Sequence, residues 1–190
     1  MANPAFDYIT PGDYLAFEIK AAEKHEYFDG RIYAMAGATI DHNYIATTLS
    51  RKIGNFLEDK SCDIFGTDLR ITSPGFNSFI YPDLTIVCGP IIKKESGFDT
   101  VTNPSVIIEV LSASTRGYDL AFKFHYYQQI PSLKEYIVVD STRPFVLVNK
   151  KQGNDWVRAE INDINSSFFI ETIEFELPLK EVYRKVSYAD

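Results

Sequence analysis

The stretch that decides the fold runs from residue 81 to residue 140 and holds three apolar segments, each with an acidic residue. The segments are YPDLTIV (81–87), PSVIIEVLS (104–112) and YIVVD (136–140). A helix-like segment that carries Lys123 lies between the second and the third. Charged side chains are rarely buried unless they are paired or bind a metal. Asp83, Glu109 and Lys123 therefore mark the place where we expect a functional site.

The residues before this stretch predict a helix, a hairpin and a second helix. Thr10 is a suitable N-cap and Pro11 a suitable first residue for a helix over 10–24. Asp29-Gly30, between two strand-like runs, is the strongest kind of short-range hairpin signal. Asp41 is the expected N-cap of the second helix, whose apolar residues recur with helical spacing. This apolar stripe consists of Ile45, Leu49, Ile53, Phe56 and Leu57.

The rest of the chain predicts mainly strands. We expect strands at 62–72, 81–87, 106–111, 136–139, 145–148, 155–161 and 168–177, a polar loop at 88–103, a helix from Ser114 or Thr115 to about Gln129, and a last helix near Pro178. The 106–111 strand is apolar on both faces, which is typical of a central strand in a covered sheet. The sequence therefore predicts one α/β domain, residues 1–190, with a central mixed sheet flanked by helices.

The charge of the chain limits its possible partners. There are 19 Lys and Arg against 26 Asp and Glu, a net charge of −7. This balance argues against broad, avid binding to nucleic acid, which depends on clustered positive charge. It is compatible with a small basic groove, whose candidate residues are Arg70, Lys93, Lys94 and Arg116.

The sequence predicts a cytoplasmic protein without a membrane span. No apolar run approaches the roughly 20 residues that a membrane-spanning helix needs, and the first residues lack a signal-peptide pattern. The chain has two cysteines, Cys62 and Cys88. Their number and spacing indicate neither a disulfide framework nor a cysteine metal site.

Asp83 and Glu109 are suited to hold a divalent cation. Mg²⁺ and Mn²⁺ prefer oxygen ligands. The backbone carbonyl of Val110 would complete such a site. The metal would lower the pKa of a bound water and neutralise charge on a scissile phosphate. Lys123 follows Glu109 by 14 residues, far enough for a helix to fold back over the strand. The lysine would then orient the water or stabilise the transition state.

The ordered motifs between Tyr14 and Leu177 resemble the PD-(D/E)XK nuclease superfamily and, within it, the Uma-two family of restriction-endonuclease-like proteins. The motifs are Glu26-Tyr-Phe-Asp-Gly-Arg, His42, Tyr81-Pro-Asp-Leu, Glu109-Val-Leu-Ser-Ala-Ser-Thr, Asp119-Leu-Ala-Phe-Lys123, Tyr127 and Glu135-Tyr-Ile-Val-Val-Asp. The resemblance implies a restriction-endonuclease-like fold with an added N-terminal helix and hairpin and added C-terminal strands. It also implies a DNA substrate and a homodimer that cuts both strands.

One position departs from the superfamily, because the lysine expected two residues after Glu109 is Leu111. The resemblance gives the role of that lysine to Lys123, with Asp119 orienting it, and implies that Glu26 reaches the metal from the N-terminal region. The predicted catalytic residues are therefore Asp83, Glu109, Lys123 and Glu26, supported by Asp119, His42 and Arg70.

Several of these residues also have an ordinary structural explanation. Asp119 and Lys123 have the spacing of a solvated ion pair on a helix. His42, three residues before Ile45, suits a buried histidine with satisfied hydrogen bonds. Arg70 suits either a phosphate contact or a pair with a carboxylate at the edge of the core. The tyrosines at 118, 126 and 127 are expected to pack rather than to stack on bases.

The sequence thus predicts a Mg²⁺- or Mn²⁺-dependent endonuclease that hydrolyses phosphodiester bonds of DNA. Two other functions stay open: a catalytically inactive, nucleic-acid-associated binding module on the same fold, and a metal-dependent hydrolase of a small phosphate or carboxylate substrate. Leu111 and the acidic charge favour the binding module. Proximity of Lys123 to Asp83 and Glu109 would favour catalysis.

Overall fold

The computed structural model describes residues 8–72, 78–94, 99–112 and 122–187. Its α-helices are α1 (Pro11–Glu18), α2 (Ile40–Leu57), α3 (Phe124–Tyr127) and α4 (Leu179–Val182). Its strands are β1 (His25–Phe28), β2 (Arg31–Ala34), β3 (Cys62–Gly66), β4 (Arg70–Ile71), β5 (Ser78–Phe79), β6 (Leu84–Cys88), β7 (Lys93–Lys94), β8 (Thr100–Val101), β9 (Val106–Leu111), β10 (Glu135–Asp140), β11 (Val146–Gln152), β12 (Asp155–Ile161), β13 (Ser167–Ile170) and β14 (Phe175–Pro178).

A six-stranded mixed sheet, in the order β12-β11-β10-β9-β6-β3, forms the centre of the fold. The β9–β10 pair is parallel, whereas the other neighbours in this sheet run antiparallel. All six residues of β9 are buried, as expected for a central strand covered on both faces. The predicted α/β class with a mixed sheet is confirmed.

The two faces of β9 point into two different apolar clusters. Val106, Ile108 and Val110 pack with α2 on one face, whereas Ile107 and Leu111 pack with α3 and the β1–β2 hairpin on the other. Because side chains alternate along a strand, Glu109 points into the second cluster. This alternation places a carboxylate in the layer that α3 and the hairpin build.

Helix α2 buries the stripe that the sequence predicts, with Ile45, Leu49, Ile53 and Leu57 all buried. Its N-cap, however, is Thr39 and not Asp41, because the Thr39 hydroxyl accepts a hydrogen bond from the backbone N–H of His42. The helix therefore begins at Ile40 and includes His42 in its first turn. None of the helices in the described ranges has the length and apolar character needed to cross a membrane.

The N-terminal helix and hairpin form where the sequence predicts them. Thr10 caps α1, but the helix ends at Glu18 rather than at residue 24. Asp29 and Gly30 both have positive φ, 45° and 87°, as a type I′ hairpin turn requires. The hairpin joins β5 to form a small sheet of its own.

Three other predicted segments differ from the structure. The strand expected at 62–72 is divided into β3 and β4. The 88–103 segment is not a loop throughout, because β7 and β8 within it pair with each other and with β4. Of the helix predicted from Ser114 or Thr115 to about Gln129, the described part contains α3, and the predicted start lies outside the described residues. The 168–177 segment forms β13 and β14 with a short 3₁₀-helix between them, and α4 follows Pro178 as predicted.

Cys62 and Cys88 form a disulfide, which corrects the prediction that the cysteines would not pair. They stand directly opposite each other in the antiparallel β3–β6 pair, with their Cα atoms 4.0 Å apart. Their separation of 26 residues in the sequence does not reveal this pairing, because the pairing depends on how the two strands align. The bond ties β3 to the end of β6 that is remote from Asp83.

Candidate active site

Asp83 and Glu109 come together because β6 and β9 are neighbours in the central sheet. The regular pairing of these strands ends at Leu84, opposite Ile108. Beyond that point the Asp83 carboxylate replaces the missing strand partner, since its Oδ2 accepts a hydrogen bond of 2.7 Å from the backbone N–H of Val110. The N–H of Asp83 in turn lies 3.3 Å from Oε2 of Glu109. The structure thus brings together the two carboxylates that the sequence assigns to one metal site.

Lys123 lies between two buried carboxylates. Its Nζ is 3.0 Å from Oε1 of Glu26 and 3.1 Å from Oε1 of Glu109. The three side chains are 8%, 6% and 4% exposed in that order, so Lys123 is not part of a solvated helix pair. Glu26 comes from β1 and also accepts a hydrogen bond from the N–H of Tyr81. The hairpin thus supplies the second carboxylate that balances the lysine.

His42 reaches the same site from the first turn of α2. Its Nε2 is 3.2 Å from Oδ2 of Asp83, and the two side chains are 13% and 19% exposed. Burial acts to raise the pKa of Asp83, but the hydrogen bonds from His42 and Val110 and the nearby charges of His42 and Lys123 lower it below its usual value. Asp83 is therefore ionised at neutral pH and is the most exposed of the site's three carboxylates.

Tyr127 is a part of the site that the sequence interpretation treated as packing. Its hydroxyl donates a hydrogen bond of 2.5 Å to Oε1 of Glu109, the same oxygen that Lys123 approaches. Complete burial, and then the charges of Glu109 and Glu26, raise its pKa well above 10, so the phenol keeps its proton. The available signal was its position four residues after Lys123, which puts both side chains on one helix face.

The remaining predicted residues do not join this cluster. Arg70 is 1% exposed and donates to the hydroxyl of Thr100, with its guanidinium 5.1 Å from the ring of Phe79. Its burial leaves no surface for a phosphate, so the basic groove predicted around it does not form there. Asp119 and Arg116 lie outside the described residues.

The oxygen atoms at the site fit a hard divalent cation. Two carboxylates, those of Asp83 and Glu109, lie at the site. The carbonyl of Val110 points to the same edge of β9 as the Val110 N–H, which donates to Asp83. Within the described ranges, no group of three or more His, Cys, Asp and Glu side chains is arranged to hold a metal. A cation would therefore rest on two carboxylates and a backbone oxygen, with water or substrate completing its shell, as Mg²⁺ commonly does.

The charge balance of the cluster also fits a cation. Within the described ranges, Glu26, Asp83 and Glu109 surround the ammonium of Lys123. Even with His42 protonated, three carboxylates face two cations, so the site carries an excess of negative charge in a largely buried place. Such an excess is costly unless a cation or proton compensates it.

The central mixed sheet flanked by helices, with Asp83 directly before β6 and Glu109 on the adjacent β9, is the architecture of a restriction-endonuclease-like fold. The structure is similar to the crystal structure of a putative nuclease belonging to DUF820 from Anabaena variabilis, with a TM-score of 0.74 and 17% sequence identity over 93% of this chain and 98% of that one. At this identity the likeness concerns the fold.

Residues 11–180 match the sequence model of Uma2, described as "Putative restriction endonuclease", and the chain belongs to this family. Two uncharacterized proteins of Synechocystis are related to it. One, slr1290, is 36% identical over 177 residues, covering 88% of this chain and 92% of its own. The other, sll1609, is 35% identical over 159 residues, covering 83% and 90%. The predicted family is confirmed, and its description supports a nuclease-like function.

Proposed function

We propose that this protein is a metal-dependent endonuclease that hydrolyses phosphodiester bonds of DNA. Asp83, Glu109 and the carbonyl of Val110 would hold Mg²⁺ or Mn²⁺. The observation that carries the proposal is the buried ammonium of Lys123, held by Glu26 and Glu109 beside the ionised Asp83. A buried lysine balanced in this way needs carboxylates from three separate segments of the chain. An ion pair between two residues of one helix would not require them.

The residues of the chain have distinct tasks in this proposal. When bound, the metal supplies an activated water and neutralises phosphate charge. Lys123 orients the attacking water through its N–H groups, and Glu26 fixes the ammonium in place. Tyr127 holds Glu109 through a hydrogen bond to Oε1, and His42 holds Asp83 through Oδ2. The water oxygen bonds to phosphorus and releases a proton, the bond to the leaving oxygen breaks, and the leaving oxygen takes up a proton.

A second candidate is the binding module without catalysis. Leu111 supports it, because this side chain is fully buried in the apolar cluster under α3 and offers no replacement for the lysine of the superfamily. The net charge of −7 supports it as well. The contact between Lys123 and Glu109 favours the enzyme, since it supplies a lysine at the carboxylates from another element.

Calorimetric titration of Mn²⁺ tests the proposed metal site without a choice of substrate. We expect saturable binding to the wild type and its loss in Asp83→Asn and in Glu109→Gln. Asp68→Asn is the matched control, because Asp68 is an exposed carboxylate in an ion pair with Lys24, and it should bind as the wild type does. Absence of binding to the wild type, even with a short duplex present, would favour the binding module.

Cleavage of a DNA duplex with Mg²⁺ tests the reaction. Lys123→Ala should reduce the rate about 100-fold or more, the effect of removing one well-placed donor, while Mn²⁺ binding persists. Equal rates for this variant and the wild type would remove Lys123 from the mechanism.

Two further properties stay predictions. A homodimer that cuts both strands is expected from the resemblance, and sedimentation analysis would test it. A cytoplasmic location is expected from the sequence, but the Cys62–Cys88 disulfide stands against it, because disulfides are rare in reducing compartments.

A further inference from the structure

We propose that Arg143 and Lys185 form a phosphate-binding rim beside the carboxylates and hold the backbone of duplex DNA. The inference rests on the proposed function and adds to it the surface that receives the polymer. It differs from the basic groove that the sequence left open, one of whose candidate residues, Arg70, is buried.

Arg143 is fixed at the end of the sheet where the site lies. Asp140 is the last residue of β10 and pairs in register with Leu111, directly after Val110. Arg143 Nε is 3.3 Å from Oδ2 of Asp140, and the guanidinium lies 4.9 Å from the ring of Phe145. The arginine side chain is nevertheless 57% exposed, so its position is restrained while its head reaches solvent.

The guanidinium of Arg143 retains donors for a ligand. Its hydrogen bond to Asp140 uses Nε, and a guanidinium carries four more N–H donors on its terminal nitrogens. That fork matches the oxygens of a phosphate group. Asp140, which is fully buried, also accepts hydrogen bonds from the N–H and hydroxyl of Thr142, so it serves as an anchor under the arginine.

Lys185 approaches the same end of the sheet from the opposite layer. The hydroxyl of Tyr183 lies 2.8 Å from the carbonyl oxygen of Asp140, which fixes the end of α4 there. Two residues later, the exposed Lys185 places Nζ 5.6 Å from the ring of Tyr44. Tyr44 is itself 41% exposed and follows His42 by two residues on α2. Both cations therefore lie at the end of the sheet that carries Asp83, Arg143 in the turn after β10 and Lys185 in the segment after α4.

This arrangement favours a polymer over a small phosphate ester as the ligand. A small ester would interact at the carboxylates and the metal, and would not need two further cations at the edge of the sheet. A nucleic-acid backbone has a phosphate every few ångströms and can contact both cations while one phosphate lies at Asp83. In a chain with a net charge of −7, such local contacts have to supply the attraction for a polyanion.

The salt dependence of duplex binding tests the rim. A fluorescent duplex is titrated with the full chain in Ca²⁺, which takes the same oxygen ligands as Mg²⁺, at several salt concentrations. The slope of log K against log salt should fall by about 2 in Arg143→Gln/Lys185→Gln, since each lost phosphate contact lowers it by about 0.9. Affinity should fall in parallel at low salt.

Two control variants separate position from charge. Lys93→Gln/Lys94→Gln removes the same number of exposed positive charges from another part of the surface and should leave the slope unchanged. Arg143→Lys/Lys185→Arg keeps both charges and should retain most of the slope. An unchanged slope in the Arg143→Gln/Lys185→Gln variant, or an equal loss in the Lys93 and Lys94 control, would overturn the rim.

Cleavage of the same duplex by the same variants, measured in Mg²⁺ instead of Ca²⁺, separates the rim from the proposed function. If the wild type cleaves DNA and Arg143→Gln/Lys185→Gln leaves the slope unchanged, the rim would be overturned and the proposed nuclease function would be retained. Duplex binding that depends on Arg143 and Lys185 without any cleavage would support the rim and overturn catalysis. Neither binding nor cleavage by the wild type would overturn both.

Discussion

Lys123 Nζ lies 3.0 Å from Oε1 of Glu26, and both side chains are more than nine-tenths buried. The pair joins the first hairpin to the helical segment that follows β9. It makes the N-terminal hairpin part of the candidate active site rather than an addition to its edge. Because Lys123 also pairs with Glu109, removal of either carboxylate should affect the position of the ammonium.

Glu26→Gln should therefore lower both stability and activity. The substitution keeps the shape of the side chain but leaves a buried ammonium with one charged partner, and breaking a buried pair typically costs about 3–5 kcal/mol. Urea unfolding would measure the change in the free energy of unfolding. The exposed pair Lys24–Asp68 is the matched control, and Asp68→Asn should cost at most about 1 kcal/mol. Equal effects of the two variants would show that Lys123 does not depend on Glu26.

Tyr127→Phe should weaken the site while the fold persists. The change removes one hydroxyl that donates to Glu109 Oε1, and a hydrogen bond to a charged group contributes about 1.5–3 kcal/mol. The ring and its packing against Tyr136, with centroids 5.2 Å apart, remain. We expect urea unfolding to show a decrease of this size in the free energy of unfolding, and calorimetry to show weaker Mn²⁺ binding.

Tyr126→Phe is the comparison for this variant. Tyr126 lies in the same short helix and donates instead to Asp29 at the hairpin turn. It should leave Mn²⁺ affinity unchanged. Equal Mn²⁺ affinity in Tyr127→Phe and the wild type would mean that Tyr127 does not position Glu109.

The sequence was sufficient for the part of the site that lies within strands. Asp83 and Glu109 are conspicuous because carboxylates interrupt apolar strand segments, and the strand pattern made them plausible neighbours. The contact of Glu26 with Lys123 depends instead on how the hairpin folds over the sheet, which no local pattern records, and only the family resemblance pointed to Glu26. The Cys62–Cys88 bond and the role of Tyr127 depend likewise on register and side-chain direction.

Alkaline pH should destabilise the fold through its buried tyrosines. Burial first, and then neighbouring charges, raise the pKa of Tyr126 to about 12 and that of Tyr127 well above 10. In the unfolded chain tyrosine loses its proton near pH 10. The unfolded state therefore binds fewer protons than the native state above that pH, and the free energy of unfolding decreases as pH rises. The stabilising contribution is fully present below about pH 10.

Urea unfolding across the alkaline range would measure this dependence. Tyr127→Phe should lessen the decrease above about pH 10, because phenylalanine has no proton to lose in either state. Tyr44→Phe is the control at an exposed tyrosine and should leave the pH dependence as in the wild type. If the free energy of unfolding decreases equally steeply in all three proteins, groups other than Tyr127 and Tyr44 cause the decrease.

Reduction of the Cys62–Cys88 disulfide should lower stability and spare the metal site. Closing a loop of 26 residues restricts the unfolded chain, and the chain-entropy relation gives a contribution of about 3.5 kcal/mol. The bond lies at the end of β6 away from Asp83, so Mn²⁺ binding should persist in Cys62→Ala/Cys88→Ala. Urea unfolding with and without reductant should show the loss in the wild type and no effect of reductant in the double variant. Rapid alkylation of both thiols in the native protein without reductant would contradict the disulfide. Loss of Mn²⁺ binding in a folded Cys62→Ala/Cys88→Ala variant would show that the metal site depends on the disulfide.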